Sequence, residues 1–594
     1  MRSPQTIVTA LLLSVSCVSA IWPIPVTIST GNSSLWLAQD VKFKYEGPKD
    51  SDVLTTSDIC ERAQAGSKFS TSIGAFVEKR INKAIERTKE DLFEYNFVPW
   101  KFHPRRTQYE PVDGGKEGSI KTVTLKLNKL DPSTKPKVGE VDESYELQID
   151  ENGAATISAN SSIGILHGLE SFKQLFYKHS TSKDVYTPYA PVKITDKPLI
   201  PHRGLNLDVA RQWYPVEDVK RTINALAMNK MNRLHFHVTD SQSWPLEIPS
   251  MPDLATKGRY FAGATYSPAD LQGILDYASD RGVQVIVEID MPGHTTSIAE
   301  AYPELIIAKN RQPDWPLFAA QPPSGTLKLG DDPKVNEFNT NLLNDLLPRL
   351  KEHTSYYHSG GDEVNAHAYK DDPVIQSEDP QKIQPYISRF VNHIHDVVRE
   401  NGMSPVVWEE MVLVWNITVK TDTLVQAWID AESIKRITEK GYKVIAGSYK
   451  HWYLDCGKGQ WLDFKMKDFD QFYPFNDYCA PVHNWRAMYS FDPLAGLTDE
   501  EKKLVIGGEA HMWSEQTDPA SLDSTVWPRA SAVGEVLWSG RLDAAGNNRT
   551  FEDASQRLGE FRERMLARGI QATAITQTWC HMHKGDCTFW QAGN

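Results

Sequence analysis

Residues 204–238 read GLNLDVARQWYPVEDVKRTINALAMNKMNRLHFHV, and this stretch decides the fold. Two short β-rich runs, at 204–209 and 233–238, enclose a stretch at 216–228 whose apolar residues recur with a helical period. A strand, a helix and a second strand in this order form a βαβ unit, in which the two strands lie parallel in one sheet. The stretch therefore predicts an α/β fold built on a parallel sheet.

The same rhythm continues through the rest of the chain. Together with the first two runs, six further β-rich runs over residues 198–594 predict a (β/α)8 TIM barrel with insertions and a C-terminal tail. The further predicted strands are at 283–289, 355–359, 405–408, 424–428, 443–446 and 504–508. The further predicted helices are at 268–281, 336–353 and 380–401.

Residues 21–197 show a different pattern. Strand-like alternation at 122–127 and 145–149 is mixed with helical spacing at 67–95 and 162–177. A chain of 594 residues is also too long for one ordinary core. We therefore expect a smaller α+β domain at 21–197 in front of the barrel.

The first 20 residues have the pattern of a secretory signal peptide. Arg2 precedes an apolar run at 7–18, and Val18-Ser19-Ala20 predicts cleavage after Ala20. The apolar run is too short to span a bilayer. We expect a secreted protein, extracellular or associated with the cell wall, and no membrane partner.

The composition excludes nucleic acid as a partner. A net charge of −13 and a pI of 5.8 leave no basic stripe that could displace counterions from phosphates. The 17 tryptophans and 22 tyrosines provide flat apolar surfaces that suit the C–H faces of sugar rings. Most of these aromatic residues are still expected to lie in the core.

Cysteines and glycosylation triplets agree with secretion. Signal cleavage would remove Cys17, and in an oxidising compartment we expect the pairs Cys456–Cys479 and Cys580–Cys587. Cys60 is then odd, either free or bridged to another chain. Asn-x-Ser/Thr triplets predict surface glycans at Asn32, Asn160, Asn416 and Asn548, of which one or two could be unoccupied.

Polar and aromatic side chains follow every predicted barrel strand. Barrel active sites lie at the carboxyl ends of the strands, so these side chains should converge on one mouth. In chain order they are Asp208 with Arg211, Asp240 with Trp244, Asp290 with His294, Asp362 with Glu363, Trp408 with Glu409, Trp428, Tyr453 with Asp455, and Glu509 with Trp513 and Glu515.

The neighbouring carboxylates Asp362 and Glu363 follow a flexible Ser-Gly-Gly turn. Ordinary glycosidases place two carboxyls on either side of the scissile bond, roughly 5 to 9.5 Å apart. Sequence neighbours are poorly suited to that arrangement. We expect Glu363 to protonate the leaving oxygen while Asp362 holds a nucleophile that belongs to the substrate. A solvated acidic loop is the alternative interpretation of the pair alone.

The run Tyr357-His358-Ser359-Gly360-Gly361-Asp362-Glu363-Val364 resembles the characteristic motif of glycoside hydrolase family 20, the β-N-acetylhexosaminidases. The chain from Ile21 onward is similar to the fungal secreted members. Further matching motifs are GLNLDVAR at 204–211, HFHVTD at 235–240, EIDMPGH at 288–294, YLD at 453–455 and GGEAHMWSE at 507–515.

The resemblance implies an exo-acting, retaining β-N-acetylhexosaminidase that releases terminal N-acetylglucosamine or N-acetylgalactosamine. Glu363 would be the general acid/base, and Asp362 would orient the 2-acetamido group as its carbonyl oxygen attacks the anomeric carbon. The intermediate would be an oxazolinium ion, with no covalent enzyme intermediate. Tyr453 would hydrogen-bond the attacking oxygen. The implied walls of the pocket are Trp408, Trp428 and Trp513.

The resemblance also assigns the remaining site residues. Arg211, Asp455 and Glu515 would hold the sugar hydroxyls, while Asp240 and His294 would lie beside the acid. Residues 21–106 resemble a fungal propeptide that stays non-covalently bound, with cleavage at Arg105-Arg106 or Lys79-Arg80 as the sites considered. The N-terminal domain is likened to zinc proteases, but the chain has no His-Glu-x-x-His motif. We therefore infer no metal or other cofactor.

Two other classes of function stay open on the residues alone. His235 and His237, spaced i, i+2, could join His294 in a metal-dependent barrel hydrolase. A non-catalytic chitin-binding lectin would use the same tryptophans without the acid. Open as well are the natural substrate, chitobiose and chitooligosaccharides or N-glycan termini, the preference for gluco or galacto sugars, and the formation of a homodimer.

Overall fold

The computed structural model describes residues 21–48, 72–112 and 118–589. The predicted signal peptide with Cys17, and the odd Cys60, lie outside the described residues. Within these ranges, no helix is both long and apolar enough to cross a membrane.

The N-terminal domain is a six-stranded sheet with the order β1-β2-β4-β3-β6-β5, in which β1 also pairs with β6. Alternate residues of β3 are buried, as the sequence alternation predicts. The strands are β1 (Thr27–Glu46), β2 (Ser119–Leu127), β3 (Tyr145–Ile149), β4 (Ala154–Ala159), β5 (Tyr177–Lys178) and β6 (Val185–Asp196). Its helices are α1 (Ile73–Phe93) and α2 (Ser162–Gln174).

Eight parallel strands close into a barrel, so the predicted (β/α)8 fold is confirmed. All eight predicted strands are present; the last one is longer than expected because its end also pairs with the first barrel strand. In chain order they are β7 (His202–Asp208), β8 (Arg233–Thr239), β9 (Gln284–Ile289), β12 (Tyr356–His358), β13 (Ser404–Trp408), β14 (Leu424–Ala427), β15 (Lys443–Ala446) and β16 (Val505–Met512). A small hairpin of β10 (Ile306–Ile307) and β11 (Thr326–Leu327) lies in one insertion.

Amphipathic helices surround the barrel. Side-chain caps mark where two of these helices begin. Ser267 and Asp270 form a capping box around Pro268, and Asp379 caps the helix that begins at Pro380. In chain order the helices of this part begin with α3 (Val216–Met228), α4 (Asp253–Gly258), α5 (Pro268–Ser279), α6 (Asp332–Leu350) and α7 (Pro380–Glu400). They continue with α8 (Glu410–Leu413), α9 (Ala431–Glu439), α10 (Tyr449–Trp452), α11 (Phe469–Phe472), α12 (Trp485–Ser490), α13 (Asp499–Lys502), α14 (Leu522–Val526), α15 (Arg529–Ser539), α16 (Phe551–Ala567) and α17 (Thr578–Met582).

The N-terminal domain covers the amino ends of the barrel strands. The amide of Val138 donates to the hydroxyl of Tyr356 at 3.0 Å, and Gln284 donates to the carbonyl of Pro136 at 2.8 Å. Trp22 is fully buried and donates its indole N–H to the carbonyl of Ser531 at 3.1 Å. The opposite, carboxyl end of the barrel is therefore left for a functional site.

The two dibasic pairs considered for processing differ in exposure. Arg80 lies inside α1, is buried, and pairs with Asp131 at 3.1 Å. Arg105 and Arg106 form an exposed turn. In this fold only the second pair is accessible to a protease.

The described residues include four cysteines and all four predicted glycosylation sites. Both expected disulfides, Cys456–Cys479 and Cys580–Cys587, are formed. Asn32, Asn416 and Asn548 are exposed. Asn160 is half-buried, and its side-chain nitrogen donates to Asp142 at 2.8 Å. Attachment of a glycan to Asn160 would require this hydrogen bond to break.

Candidate active site

A cavity of about 330 Å³ lies at the carboxyl ends of the barrel strands. It is lined by nine of the residues that the sequence singled out: Arg211, His294, Asp362, Glu363, Trp428, Tyr453, Asp455, Trp513 and Glu515. Further lining residues are Ala320, Gln321, Gln460, Trp461, Leu462, Asp477, Tyr478 and Gln516. The expected convergence on one mouth is thus present for these nine residues. Seven others that the sequence singled out do not line the cavity: Asp208, Asp240, Trp244, Asp290, Trp408, Glu409 and Glu509.

Glycines place the two neighbouring carboxyls. Gly360 and Gly361 have φ angles of +69° and +110°, a region that favours glycine. A Cβ atom on Gly360 would lie 1.8 Å from Oδ1 of Asp290. The same Asp290 oxygen accepts the amide of Gly361 at 2.8 Å. The turn therefore packs directly on Asp290 and carries Asp362 and Glu363 into the cavity.

Asp362 is buried, with 8% of its surface exposed. Its Oδ1 has no hydrogen-bond partner among the described residues. Burial raises the pKa of Asp362, against the lowering influence of His294. Burial and the proximity of Asp362 also raise the pKa of Asp290 well above its usual range. A buried carboxylate oxygen that faces a cavity without a donor is suited to a donor on a ligand.

His294 connects the second carboxyl to the barrel wall. Its Nε2 lies 3.3 Å from Oε2 of Glu363, and its Nδ1 lies 3.1 Å from Oδ1 of Asp240. Although burial opposes the charged imidazole, Asp240, Asp362 and Asp290 raise its pKa well above the usual range. Asp240 pairs in turn with Arg211 at 3.0 Å. A chain of alternating charges therefore leads from Arg211 to Glu363.

Aromatic side chains form the walls of the cavity. Trp428 stacks on Tyr453, with ring centroids 6.2 Å apart and planes at 19°. Trp513 lies against the guanidinium of Arg211 at 5.2 Å. These flat surfaces suit a sugar ring and its apolar substituents.

Trp408 does not line the cavity, contrary to the expectation that it forms a wall. It is only 1% exposed and packs behind Trp513, at 6.2 Å between ring centroids. Its indole N–H donates to Oε1 of the buried Glu288 at 2.7 Å, which holds the ring toward the barrel interior. Trp408 thus supports the wall from behind.

Two acidic side chains occupy the far side of the cavity. Oδ1 of Asp455 has no hydrogen-bond partner among the described residues, and Glu515 accepts from Gln321 at 3.0 Å. Burial and the nearby Glu515 raise the pKa of Asp455 well above its usual range. Burial likewise raises the pKa of Glu515, while Arg211 opposes this rise. Both carboxyls can accept hydrogen bonds from hydroxyl groups.

The sequence interpretation missed Glu410. The run Trp408-Glu409-Glu410 follows β13, and Glu409 was singled out. Glu409 accepts the backbone amide of Trp428 at 2.8 Å, whereas both carboxylate oxygens of Glu410 lie 3.0 Å from the indole nitrogen of Trp428. Trp461 and Tyr478 at the cavity mouth were also missed, because only the fold of the Cys456–Cys479 loop places them there.

Of the three histidines of the metal-site alternative, His294 lines the cavity, whereas His235 and His237 are buried inside the barrel. His235, Glu288 and His358 lie close enough to share an ion, with ligand atoms within 4.8 Å of one another. Both nitrogens of His235 are already hydrogen-bonded, to Glu288 at 2.9 Å and Glu509 at 3.0 Å. Although burial opposes its charge, these carboxylates raise the pKa of His235 to about 9. A doubly protonated imidazole has no lone pair for a metal.

A closed barrel whose carboxyl mouth carries an acidic pair, a charged histidine and aromatic walls defines a glycoside-cleaving enzyme. Residues 200–541 match the catalytic domain of glycosyl hydrolase family 20, and residues 21–175 match a domain described as beta-acetyl hexosaminidase like. The chain therefore belongs to glycosyl hydrolase family 20. The family resemblance seen in the sequence and the predicted α/β barrel fold are therefore confirmed.

Relatives extend over nearly the whole chain. A beta-hexosaminidase of Arthroderma benhamiae is 40% identical over 96% of this chain and 97% of its own length. A chitooligosaccharidolytic beta-N-acetylglucosaminidase of Ostrinia furnacalis is 32% identical over 79% of this chain and 78% of its own length. The structure of the chitobiase of Flavobacterium johnsoniae has a TM-score of 0.69 and 26% identity, covering 93% of this chain and 73% of that protein.

Proposed function

We propose that the protein is an exo-acting, retaining β-N-acetylhexosaminidase that uses the substrate's own acetamido group as the nucleophile. The observation that carries this proposal is the position of Asp362 and Glu363. The two carboxyls come from adjacent residues on one turn and face one cavity, next to each other. Two adjacent carboxyls on one turn are poorly suited to lie on opposite faces of the sugar, as ordinary retaining glycosidases require.

In the first step Glu363 donates its proton to the glycosidic oxygen, and the bond from that oxygen to the anomeric carbon breaks. The carbonyl oxygen of the acetamido group forms a new bond to the anomeric carbon, giving an oxazolinium ion. The hydroxyl of Tyr453 donates to that carbonyl oxygen. Asp362 accepts the N–H of the acetamido group and stabilises the positive charge that develops there.

In the second step a water attacks the anomeric carbon from the side that the leaving group vacated. Glu363 takes a proton from this water, and the bond from the acetamido oxygen to the anomeric carbon breaks. The acetamide is restored, and Glu363 is again protonated. Two inversions at the anomeric carbon give net retention.

The dimensions and charges of the cavity support release of one terminal sugar. A cavity of about 330 Å³ lies at the small end of the usual range for ligand pockets. Asp455 and Glu515 accept from sugar hydroxyls on its far side, and Arg211 donates. Because this end is closed by charged side chains, the enzyme removes residues from the non-reducing end of a chain.

Two aromatic residues support a chain-like substrate. Trp461 and Tyr478 line the cavity and are 40% and 68% exposed. They provide a surface for the sugar that leaves, and chitobiose or a chitooligosaccharide fits this surface. The protein from Ostrinia furnacalis is named for chitooligosaccharide cleavage. We expect Trp461→Ala to raise the KM for chitotriose several-fold, while the KM for a 4-nitrophenyl N-acetylglucosaminide stays nearly unchanged.

The experiment that tests the proposed function follows the products of purified enzyme acting on chitotriose labelled at its reducing end. An exo-acting hexosaminidase releases unlabelled N-acetylglucosamine first and leaves labelled chitobiose. Parallel assays with 4-nitrophenyl N-acetylglucosaminide and N-acetylgalactosaminide measure the preference for gluco or galacto sugars. Binding of chitotriose without turnover would favour the lectin alternative, and loss of activity with a chelator would favour the metal-dependent alternative.

We also propose that the protein is secreted and processed. Two disulfides and three exposed glycosylation triplets support secretion of a glycoprotein, with the signal cleaved after Ala20. Cleavage at Arg105-Arg106 would leave residues 21–106 bound without a disulfide, because β1 lies between β2 and β6. N-terminal sequencing of the mature enzyme tests this, since a single N-terminus at Ile21 excludes processing.

Light scattering tests whether the protein forms a homodimer.

A further inference from the structure

Glu410 is a buried carboxyl that contacts two parts of the catalytic site. It begins α8, two residues after the end of β13, and is 7% exposed. Both of its oxygens lie 3.0 Å from the indole nitrogen of Trp428. Oε1 also lies 3.4 Å from the backbone amide nitrogen of Glu363, a long contact. One side chain thus bridges the aromatic wall and the turn that carries the acid.

Glu410 contacts the ring of Trp428 and the backbone of Glu363, and the reaction requires both to keep one position. Trp428 is half-buried and is stacked on Tyr453 along one face. An indole ring held on one edge by a hydrogen bond loses the freedom to tilt into the cavity. Glu363 has a φ angle of +49°, a conformation that side-chain-bearing residues seldom adopt, so it depends on its surroundings.

The charges around Glu410 are acidic. The two charged groups that act most strongly on Glu410 are the acids Asp362 and Glu409. Burial, followed by the repulsion of Asp362 and Glu409, raises the pKa of Glu410 well above its usual range. A neutral Glu410 avoids placing a further negative charge beside Asp362, which must be ionised to stabilise the intermediate.

We propose that Glu410 is a positioning residue of the reaction, a neutral carboxylic acid that locks Trp428 against Tyr453 and holds the turn of Glu363. The inference rests on the proposed function for its effect on turnover. Its structural part, the neutral hydrogen bond to Trp428, stands without it. Glu410 is not a catalytic residue, because it does not line the cavity.

Two substitutions separate the roles of shape and charge. Glu410→Gln keeps a neutral oxygen that accepts the indole N–H, and we expect kcat within about 3-fold of the wild type. Glu410→Ala removes the hydrogen bond and lets the ring move, and we expect kcat to fall roughly 10- to 100-fold, as misplacement of about 1 Å can produce. Glu432→Gln on the exposed face of α9 is the matched control and should leave kcat and KM unchanged.

A second readout does not depend on activity. Fluorine NMR of protein labelled with 5-fluorotryptophan identifies Trp428 by the signal that disappears in Trp428→Phe. With Glu410 neutral, this signal has the same pH dependence between pH 5 and pH 8 in the wild type and in Glu410→Gln, and it shifts in Glu410→Ala. Even if Glu410→Ala does not fold, the comparison of wild type with Glu410→Gln remains.

Equal loss of kcat in Glu410→Gln and Glu410→Ala would overturn the proposal, because it would show that the negative charge is required. A titration of the Trp428 signal between pH 5 and pH 8 that is present in the wild type and absent in Glu410→Gln would overturn it as well. A wild type without turnover of N-acetylglucosaminides would instead refute the proposed function. In that case the fluorine signals would still test whether Glu410 holds Trp428 as a neutral group.

Discussion

Nε2 of His294 lies 3.3 Å from Oε2 of Glu363, while the other nitrogen of the same ring is held by Asp240. The imidazole is therefore fixed from behind and directed at the acid. Its neighbouring carboxylates favour the charged form, so a positive charge lies beside both Asp362 and Glu363. This charge offsets part of the repulsion in a cluster of buried acids.

The first prediction concerns this charge. Asp362 must be ionised to work, so activity falls as the pH decreases through its pKa, and His294 lowers that pKa. Removal of the charge in His294→Gln should move the acidic limb of kcat/KM to higher pH, by on the order of one unit. His367→Gln, whose ring pairs with Glu378 near the surface, is the control. An unmoved limb in His294→Gln would show that the histidine does not act on Asp362.

The second prediction concerns the acid. Glu363→Gln should keep the fold and sugar binding but lose about 10² to 10⁴-fold in turnover of substrates with poor leaving groups. A 4-nitrophenolate needs little protonation, so an activated substrate should recover part of the rate. Steady-state kinetics on chitobiose and on the nitrophenyl glycoside provide the comparison. Equal losses on both substrates would assign the acid to another residue.

The third prediction concerns Asp362. Asp362→Asn has nearly the same size but no charge, so it should reduce kcat on N-acetyl substrates by about 10² to 10³-fold, the range seen when one charge-stabilising group is removed. Circular dichroism and the thermal midpoint serve as controls for the fold. Turnover close to that of the wild type would mean that the developing charge on the acetamido nitrogen is stabilised by another group.

The fourth prediction concerns stability. Carboxylates of Glu288 and Glu509 raise the pKa of His235 from 6.5 to about 9, so the stability from its charged form is complete below pH 6.5 and is lost as the pH rises through 9. Urea unfolding should show on the order of 3 kcal/mol less free energy of unfolding at pH 9.5 than at pH 6.5. His235→Asn should be less stable at pH 6.5 and show a smaller pH dependence. Equal pH slopes for the two proteins would contradict this account.

The fold could be predicted from sequence because each barrel strand is a local pattern. The alternation of β-rich runs with helical spacing locates the strands, and residues just after them lie at the mouth by topology alone. The position of Trp408 could not be predicted in this way, because its direction depends on a hydrogen bond to Glu288, which is 120 residues earlier in the chain.

The sequence also does not show which of two adjacent residues reaches the site. Glu409 and Glu410 are both acidic, and only the register of the turn after β13 decides that Glu410 meets the indole of Trp428. The same holds for Trp461 and Tyr478, which depend on how the Cys456–Cys479 loop folds back over the mouth. In contrast, Asp362 and Glu363 follow two glycines whose backbone conformation limits where the pair can go.

The most direct test of the central claim compares kcat/KM for 4-nitrophenyl N-acetyl-β-glucosaminide with that for the matching β-glucoside, which carries a hydroxyl at C2. If the acetamido oxygen is the nucleophile, the glucoside should react slower by several orders of magnitude, because a hydroxyl at C2 cannot take its place. Comparable rates on the two substrates, or a sugar trapped covalently on a carboxylate of this protein, would contradict the mechanism.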